Sequence, residues 1–476
     1  MTKQIYLIIL TLMTSVTAIG QTLTQARKWY DEGRYDQAKP VFKKFIKQQP
    51  ANGNYCLWYG VCCLKTGEPA AAVKPLETAV KKRIPSGQLY LAQAYHNVYR
   101  FDDAVKVYEE YIAELIRRKR PTDEAETLLA KSKQAQRLLK GVEEVCIVDS
   151  IVVDKKNFLS AYRNGPESGH IFMYNAYFKD ETEQESTVFE TELRNRIYYA
   201  KIQGDTTYNI LSRSKMADGW SKESPLPGAV NEGVNANYPY VMSDGITVYY
   251  AGDGPGSLGG YDIFVTRYNT SNDTYLNPEN VGMPFNSPFN DYMYVVDEYN
   301  NLGWFASDRY QPEGKVCIYT FVPNASKRVY DYEHTEKDKL IRLASLHSIR
   351  ESWTDNNTVA DARQRLRLLS TEKSVEKKEH DFEFIIDDQT IYYHLTDFHS
   401  AEAKETFNVY RRLERNFKQT GNKLKNQRNA YMRATDADKK RMTPGILDLE
   451  KRMEQLSAEL KQTAIKVRNL EKANLK

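Results

Sequence analysis

Three regimes of apolar spacing divide the chain. Between residues 21 and 141 apolar positions return every three or four residues, as on a helix with one buried face. Between 142 and 330 they alternate in short tyrosine-rich runs bounded by turn residues, the pattern of strands. From about Phe407 the helical spacing resumes. Breaks at Gly33, Gly67 and Tyr99-Arg100 cut the first regime into helical hairpins, with Pro50 and Pro85 as stops, and a further helix is predicted over about Thr122 to Leu139.

The hairpins repeat. A small residue, Ala twelve positions later and a large residue four beyond that recur as Ala26/Ala38/Phe42, Gly60/Ala72/Leu76 and Ala92/Ala104/Tyr108. Small residues let the two helices of a hairpin approach, and the large ones fill the gap to the next hairpin. This pattern resembles the tetratricopeptide repeat over about residues 22–118, which implies an α-solenoid whose concave groove takes a peptide or protein. A spacer without a ligand is the alternative.

The strand region also repeats, on a longer period. YPYVMSDGITVYYAGDGPGSLGGYDIFVTRY, from Tyr238, aligns with YMYVVDEYNNLGWFASDRYQPEGKVCIYTF, from Tyr292, setting Tyr249 with Trp304 and Ile263 with Ile318, 55 residues apart. RIYYAKIQGDTTYNILSRS reads as an earlier copy through Tyr198 and Ile210, and an additional half-copy is expected at Phe158 to Tyr174. Several strands per copy at this period predict propeller blades. Gly259-Gly260-Tyr261-Asp262-Ile263-Phe264 and Ser307-Asp308-Arg309 resemble the blade pattern of TolB-like (WD-like) propellers, which implies structural roles for Gly259, Gly260, Asp262, Ser307, Asp308 and Arg309.

Thr390-Ile391-Tyr392-Tyr393 parallels Thr247-Val248-Tyr249-Tyr250, so residues 380–406 are expected to supply the strands that close the propeller, with the charged stretch 331–379 a mostly helical insertion outside it. In the tail, 407–476, a helix is expected to restart at Thr443-Pro444, and Leu449, Met453, Leu456, Leu460, Thr463, Val467 and Leu470 form a heptad stripe. The expectation is a helical hairpin or coiled coil, paired internally or with another copy. The predicted fold class is therefore multidomain α + β: α-solenoid, β-propeller and C-terminal helical hairpin.

Residues 1–20 resemble a secretory signal peptide, with one Lys, an apolar stretch from Ile5 to Met13, and Ala18 and Gly20 placed for cleavage before Gln21. The apolar run is about half of the ~20 residues needed to cross a bilayer. No Cys follows the small residues, since the first is Cys56, so a lipid anchor is not expected. Export sets the expected location as the periplasm or the periplasmic face of an outer membrane. Five cysteines do not make a disulfide framework: Cys56, Cys62 and Cys63 share one helix, and Cys146 and Cys317 meet only if the segment between them closes on itself.

Gly254, Gly256 and Gly259 spell G-x-G-x-x-G, the spacing of phosphate-cradling loops. Such a loop needs a helix after it, with amide groups aimed at the anion. Here YDIFVTRY follows, an alternating β-branched strand, and Asp253 and Asp262 would repel phosphate, so a turn is the better reading. Asp253, Asp262 and Asp308 fit no calcium loop, Ser257 fails the G-x-S-x-G pattern, and metal-ligand spacings are absent from the sequence. No cofactor, metal or catalytic residue is expected. Charge is segregated: residues 21–141 carry 22 Lys+Arg against 13 Asp+Glu, and residues 142–330 carry 15 against 25. Opposite fields suit either docking of the two regions or steering of a charged partner, or are merely two solvated surfaces.

Signal peptide, helical repeats and TolB-like blades together resemble exported envelope proteins of Bacteroidetes type associated with type IX secretion. The resemblance reaches most of residues 1–330, and the chain departs from it where a helical hairpin stands in place of their peptidoglycan-binding OmpA-like domain. It implies a non-enzymatic periplasmic scaffold, tied to secretion or outer-membrane assembly. Such a scaffold would hold envelope or secreted protein partners by groove and propeller, self-associate through its C-terminal helices, and bind no nucleic acid. The alternative is a glycan- or peptide-binding propeller, prompted by the 34 tyrosines.

Overall fold

Helices α1 (22–31), α2 (Tyr35–Gln48), α3 (Gly53–Lys65), α4 (Pro69–Lys81), α5 (Gly87–Asn97), α6 (Phe101–Arg117) and α7 (Asp123–Leu139) follow one another in a computed structural model. It describes residues 22–179, 185–204, 207–216, 219–232, 234–375, 382, 384–387, 390–432 and 434–474; the expected signal peptide lies outside them. The hairpins form where local chemistry turns the chain. Gly33 and Gly67 take left-handed backbone at φ +77° and +75°, Asn52 caps α3 by accepting from the amides of Asn54 and Tyr55 at 3.1 and 3.3 Å, and Pro69 sits in the first turn of α4. Ala26, Ala38, Phe42, Ala72, Leu76, Ala92, Ala104 and Tyr108 are all buried in one core. A Cβ on Gly60 would stand 2.6 Å from the Leu76 side chain, so glycine is what lets α3 and α4 touch.

Three antiparallel sheets follow. The first holds β2 (His170–Met173), β3 (Thr187–Glu190), β4 (Arg196–Gln203), β5 (Thr207–Met216) and the short β6 (Gly219–Trp220) in that order, with β7 (Ser224–Pro225) also pairing with β5. The second holds β8 (Ala236–Val241), β9 (Thr247–Gly252), β10 (Asp262–Asn269) and β11 (Thr274–Tyr275), with β12 (Glu279–Asn280) on β10. The third holds β13 (Asp291–Asp297), β14 (Leu302–Ser307) and β15 (Lys315–Val322). Its fourth strand comes from far upstream: β1 (Cys146–Asp154) pairs with β15 from Cys146↔Val322 to Asp154↔Lys315. Side chains from all three sheets share one core, including Phe189, Tyr198, Tyr240, Tyr292 and Trp304.

Several expectations need correction. The half-copy at Phe158 to Tyr174 is a 3-10 turn, Lys155–Ala161, followed by β2, and α8 (Tyr174–Phe178) comes next; Phe158 fills the common core rather than a strand. Copies two and three pair in the same ladder register at a constant offset of 55 residues, so Tyr238 corresponds to Met293 and not to Tyr292. Both Tyr238 and Met293 have positive φ, at 55° and 53°, inside matching register shifts. The free Cys146 and Cys317 lie on neighbouring strands but face Val322 and Val152, too far along the ladder to bond.

Residues 331–379 do carry helices, α9 (Lys337–Ser345) and α10 (Asn356–Val375); α9 packs against the repeats, and the chain from Trp353 into α10 lies along β1. Trp353 Nε1 and Arg363 Nε donate to the carbonyls of Ile147 and Val148 at 2.7 and 2.9 Å. The strands expected to close the propeller, in 380–406, do something else. Here β16 (Phe384–Asp387) and β17 (Thr390–Tyr392) pair with each other and belong to a second compact unit that begins at Glu372.

That second unit is built on α11 (Ala401–Met432) and α12 (Asp436–Lys472), which run antiparallel, with Gly421 beside Met453 and Arg428 bonded to Glu450. Its core joins Phe384, Ile386, Tyr392, Phe398, Phe407 and Val467. The buried Glu471 carboxylate accepts from the Tyr392 hydroxyl and from the amides of His399 and Ser400, tying the end of α12 to the start of α11. Thr435 caps α12 ahead of Pro444, so the predicted restart at Pro444 falls inside the helix. No helix of the described residues is long and apolar enough to cross a membrane.

Candidate functional site

The glycine stretch that resembles a phosphate loop is where the helical repeats meet the sheets. The strand β10 follows it, as its alternation predicts, and no helix N-terminus is presented there. Gly256 turns the chain at φ +90°, Ser257 is fully buried with its hydroxyl 3.3 Å from the Asp253 carbonyl, and Leu258 enters a core with Tyr99, Phe101, Ala135 and Leu139 of the repeats. A Cβ on Gly259 would lie 2.0 Å from the Phe289 carbonyl oxygen, and one on Gly260 would lie 2.1 Å from Asn290 Oδ1. Both glycines exist for close approach to the following linker.

Side chains of α5 and α7 grip this loop by its backbone. His96 Nε2 lies 3.0 Å from the Leu258 carbonyl, which can only accept, so Nε2 carries the proton and Nδ1 accepts from Ser132 Oγ at 2.9 Å. Lys131 Nζ donates to the Gly259 carbonyl at 2.5 Å. Burial, with Lys131 nearby, pulls the His96 pKa down to about 4 against the pull of the Leu258 carbonyl, so the ring is neutral at physiological pH. Beside this contact, Gln93, Asn97, Leu128 and Pro288 help line a cavity of about 190 Å³.

Behind the loop, Asp262 is fully buried and accepts from the amides of Leu258 and Gly259 at 3.0 and 3.2 Å and from Asn280 Nδ2 at 2.8 Å. Burial and the Asp291 carboxylate push its pKa up to about 8, against those three donors. Arg309 and Asp291, both with 0% side-chain exposure, form an ion pair at 2.6 Å. Arg309 Nε donates to Ser307 Oγ at 2.8 Å, Nη1 to the Pro284 carbonyl at 2.9 Å and Nη2 to the Phe285 carbonyl at 2.8 Å, while Ser287 donates to Asp291 at 2.6 Å. Burial works against the Arg309 charge, yet Asp291 holds its pKa above the ordinary arginine value. Asp308 accepts from Asn290 N and Nδ2 at 2.8 and 2.7 Å. Each of these groups is thus bonded to its own partners inside the fold, and among the described residues no set of three or more metal-ligand side chains gathers.

Two pairs of asparagines escaped the sequence reading. Asn286 donates to the Ile263 carbonyl and accepts from its amide, at 2.8 and 2.7 Å; Asn231 does the same for Ile210, at 3.0 and 2.8 Å. Asn290 clamps Asp308, and Asn235 clamps Asp253, by the same pair of bonds. The signal was present as N-x-x-x-N in the linker of each copy, 55 residues apart. His96 and Lys131 carried no such signal, because only the stacking of α5 on α7 brings them together.

At the other end of the sheets, the turn after β13 and the turn between β3 and β4 bring Glu298, Tyr299 and Glu192 around a cavity of about 410 Å³ that Glu167 and Ser243 also line. Ser243 Oγ donates to Glu298. A tetratricopeptide-repeat family model matches residues 30–83, the end of α1 through α4. No curated protein matches the chain.

Proposed function

We propose that this chain is a non-enzymatic scaffold of the cell envelope that holds a protein partner through its helical repeats. The observation that carries the reading is the tetratricopeptide match at 30–83 together with the stacked hairpins of α1 to α6, since such repeats commonly mediate protein–protein binding. Export to the periplasm is supported by the apolar and small residues of 1–20, and a role in secretion or outer-membrane assembly by the resemblance to envelope proteins. In this reading the three sheets are blades of a small TolB-like propeller. The equivalent asparagine clamps and the β1–β15 pairing support that arrangement, because a propeller's last blade is commonly completed by a strand from the other end of the region. In the same reading the C-terminal helices α11 and α12 mediate self-association.

In-cell crosslinking with mass spectrometry tests the proposal. We expect repeated crosslinks from lysines within 22–139 to one envelope or secreted protein. Crosslinks confined to cytoplasmic proteins, or no reproducible partner, would refute it.

A further inference from the structure

The outer cleft between the first and second sheets is built in register. Arg196 on β4 stands opposite Ser214 on β5, and Tyr198 stands opposite Ser212. Residues two apart on a strand share a face, so these four side chains form one patch. Ser221, just after β6, and Ser224 on β7 are added beside β5, and across the gap Tyr268 and Tyr275 pair directly, with rings 5.3 Å apart. The space between is about 250 Å³, below the ~300–1,000 Å³ of a drug-sized pocket and suited to a single small residue.

Arg196 is the member that structure alone does not explain. Its guanidinium carbon lies 4.8 Å from the centre of the Tyr198 ring, its Nε is buried without a hydrogen-bond partner, and no ion pair to it is found among the described residues. A buried donor left unsatisfied is destabilising. The contrast is Arg309, whose Nε and both terminal nitrogens are bonded and whose charge is paired. The acidic side chain that reaches the cleft, Asp273, is already engaged by the Tyr268 hydroxyl. A guanidinium fork without a carboxylate, beside serine hydroxyls that both donate and accept and facing the Tyr268–Tyr275 pair, matches a polyhydroxylated ring that carries its own carboxylate.

We propose that this cleft binds an acidic sugar residue. Arg196 takes its carboxylate, Ser212, Ser214 and Ser224 take ring hydroxyls, and Tyr268 and Tyr275 line its flat face. The site is separate from the helical repeats and does not depend on the protein-binding reading.

Isothermal titration of the full chain with glucuronate, galacturonate and N-acetylneuraminate, beside glucose and sodium sulfate, tests it. At least one acidic sugar binds saturably, about tenfold or more tighter than glucose and than sulfate. Arg196→Gln abolishes the preference over glucose without lowering the unfolding temperature, Arg196→Lys restores part of it, and Ser214→Ala weakens binding if the arginine variants fold poorly. Equal affinity for glucose overturns the anion requirement, and sulfate as tight as the sugars reduces the cleft to a bare anion site. Acidic-sugar binding that survives both Arg196→Gln and Ser214→Ala places the ligand elsewhere, and no binding by any acidic sugar ends the proposal.

Discussion

Replacing Arg309 with Met separates a buried ion pair from its surroundings. The guanidinium makes bonds of 2.6 to 2.9 Å to Asp291, Ser307, and the Pro284 and Phe285 carbonyls, with both charged partners fully buried. Summing ~1.5–3 kcal/mol for each bond to a charged group would overshoot, because the paired state already carries the desolvation of both ions. The better measure is the cost of stranding Asp291, about 3–5 kcal/mol, since Ser287 alone then faces its carboxylate. For a unit this large each kcal/mol lowers the midpoint by about 2 °C, so Arg309→Met should melt roughly 6–10 °C below the parent. Near-ultraviolet circular dichroism, reporting the aromatic core around Trp304, follows the transition. Arg309→Met with Asp291→Leu should recover much of the loss, because the uncompensated charge is gone. A single variant within 1 kcal/mol of the parent, or a double variant no better than the single, would refute the view that the pair is a coupled unit.

Gly259→Ala drives a Cβ into the Phe289 carbonyl oxygen, which is backbone and cannot swing away; about 1–3 kcal/mol should be lost, measured by urea unfolding, with ATP titration showing no saturable binding before or after. Lowering pH from 7.5 to 4 should cost about 3 kcal/mol through His96, because the unfolded imidazole takes its proton well before the buried one does, while above about 7.5 both are neutral and the contribution is flat. Asp262, raised to about 8, acts with the opposite sign as pH rises toward 8, so the readout is the difference between the parent and His96→Gln, whose amide still reaches Leu258 and Ser132; identical pH profiles would count against the assignment. Asn286→Ala and Asn231→Ala should each destabilise by about 1–3 kcal/mol and expose the bonded strand amides to hydrogen exchange, whereas unchanged protection at Ile263 and Ile210 would contradict the clamp.

The helical hairpins were legible because their code is local: Ala26, Ala38 and Phe42 are close in sequence, and the same spacing returns twice. The strand copies were legible for the same reason, but their register was not. The likeness of Tyr238-Pro239-Tyr240 to Tyr292-Met293-Tyr294 slid the alignment by one residue, and only the bulge with positive φ at Tyr238 and Met293 corrects it. The partner of β1 was beyond sequence reach, since no pattern in CIVDSIVVD names β15. Thr390-Ile391-Tyr392 misled because an alternating β-branched and aromatic run states only that a strand forms, not which sheet receives it. At the candidate sites, Arg309 was marked by its motif, whereas Arg196 drew no attention because an arginine at the head of a strand is ordinary until its neighbours are known.

The pairing of β1 with β15 sets an order of events during synthesis. Helices α1 to α7 hold together by contacts within and between neighbouring hairpins and can form as they emerge, yet Cys146 has no partner until Val322 has been made. Joining ends roughly 180 residues apart costs about 4–5 kcal/mol of chain entropy, repaid only when the third sheet is complete. Until then the hydrogen-bonding edge of β1 that β15 takes stays open, beside Ile151 and Val152, which are exposed even in the finished fold. A chain that stops before Lys315 therefore keeps its repeats but leaves a sticky ribbon behind them.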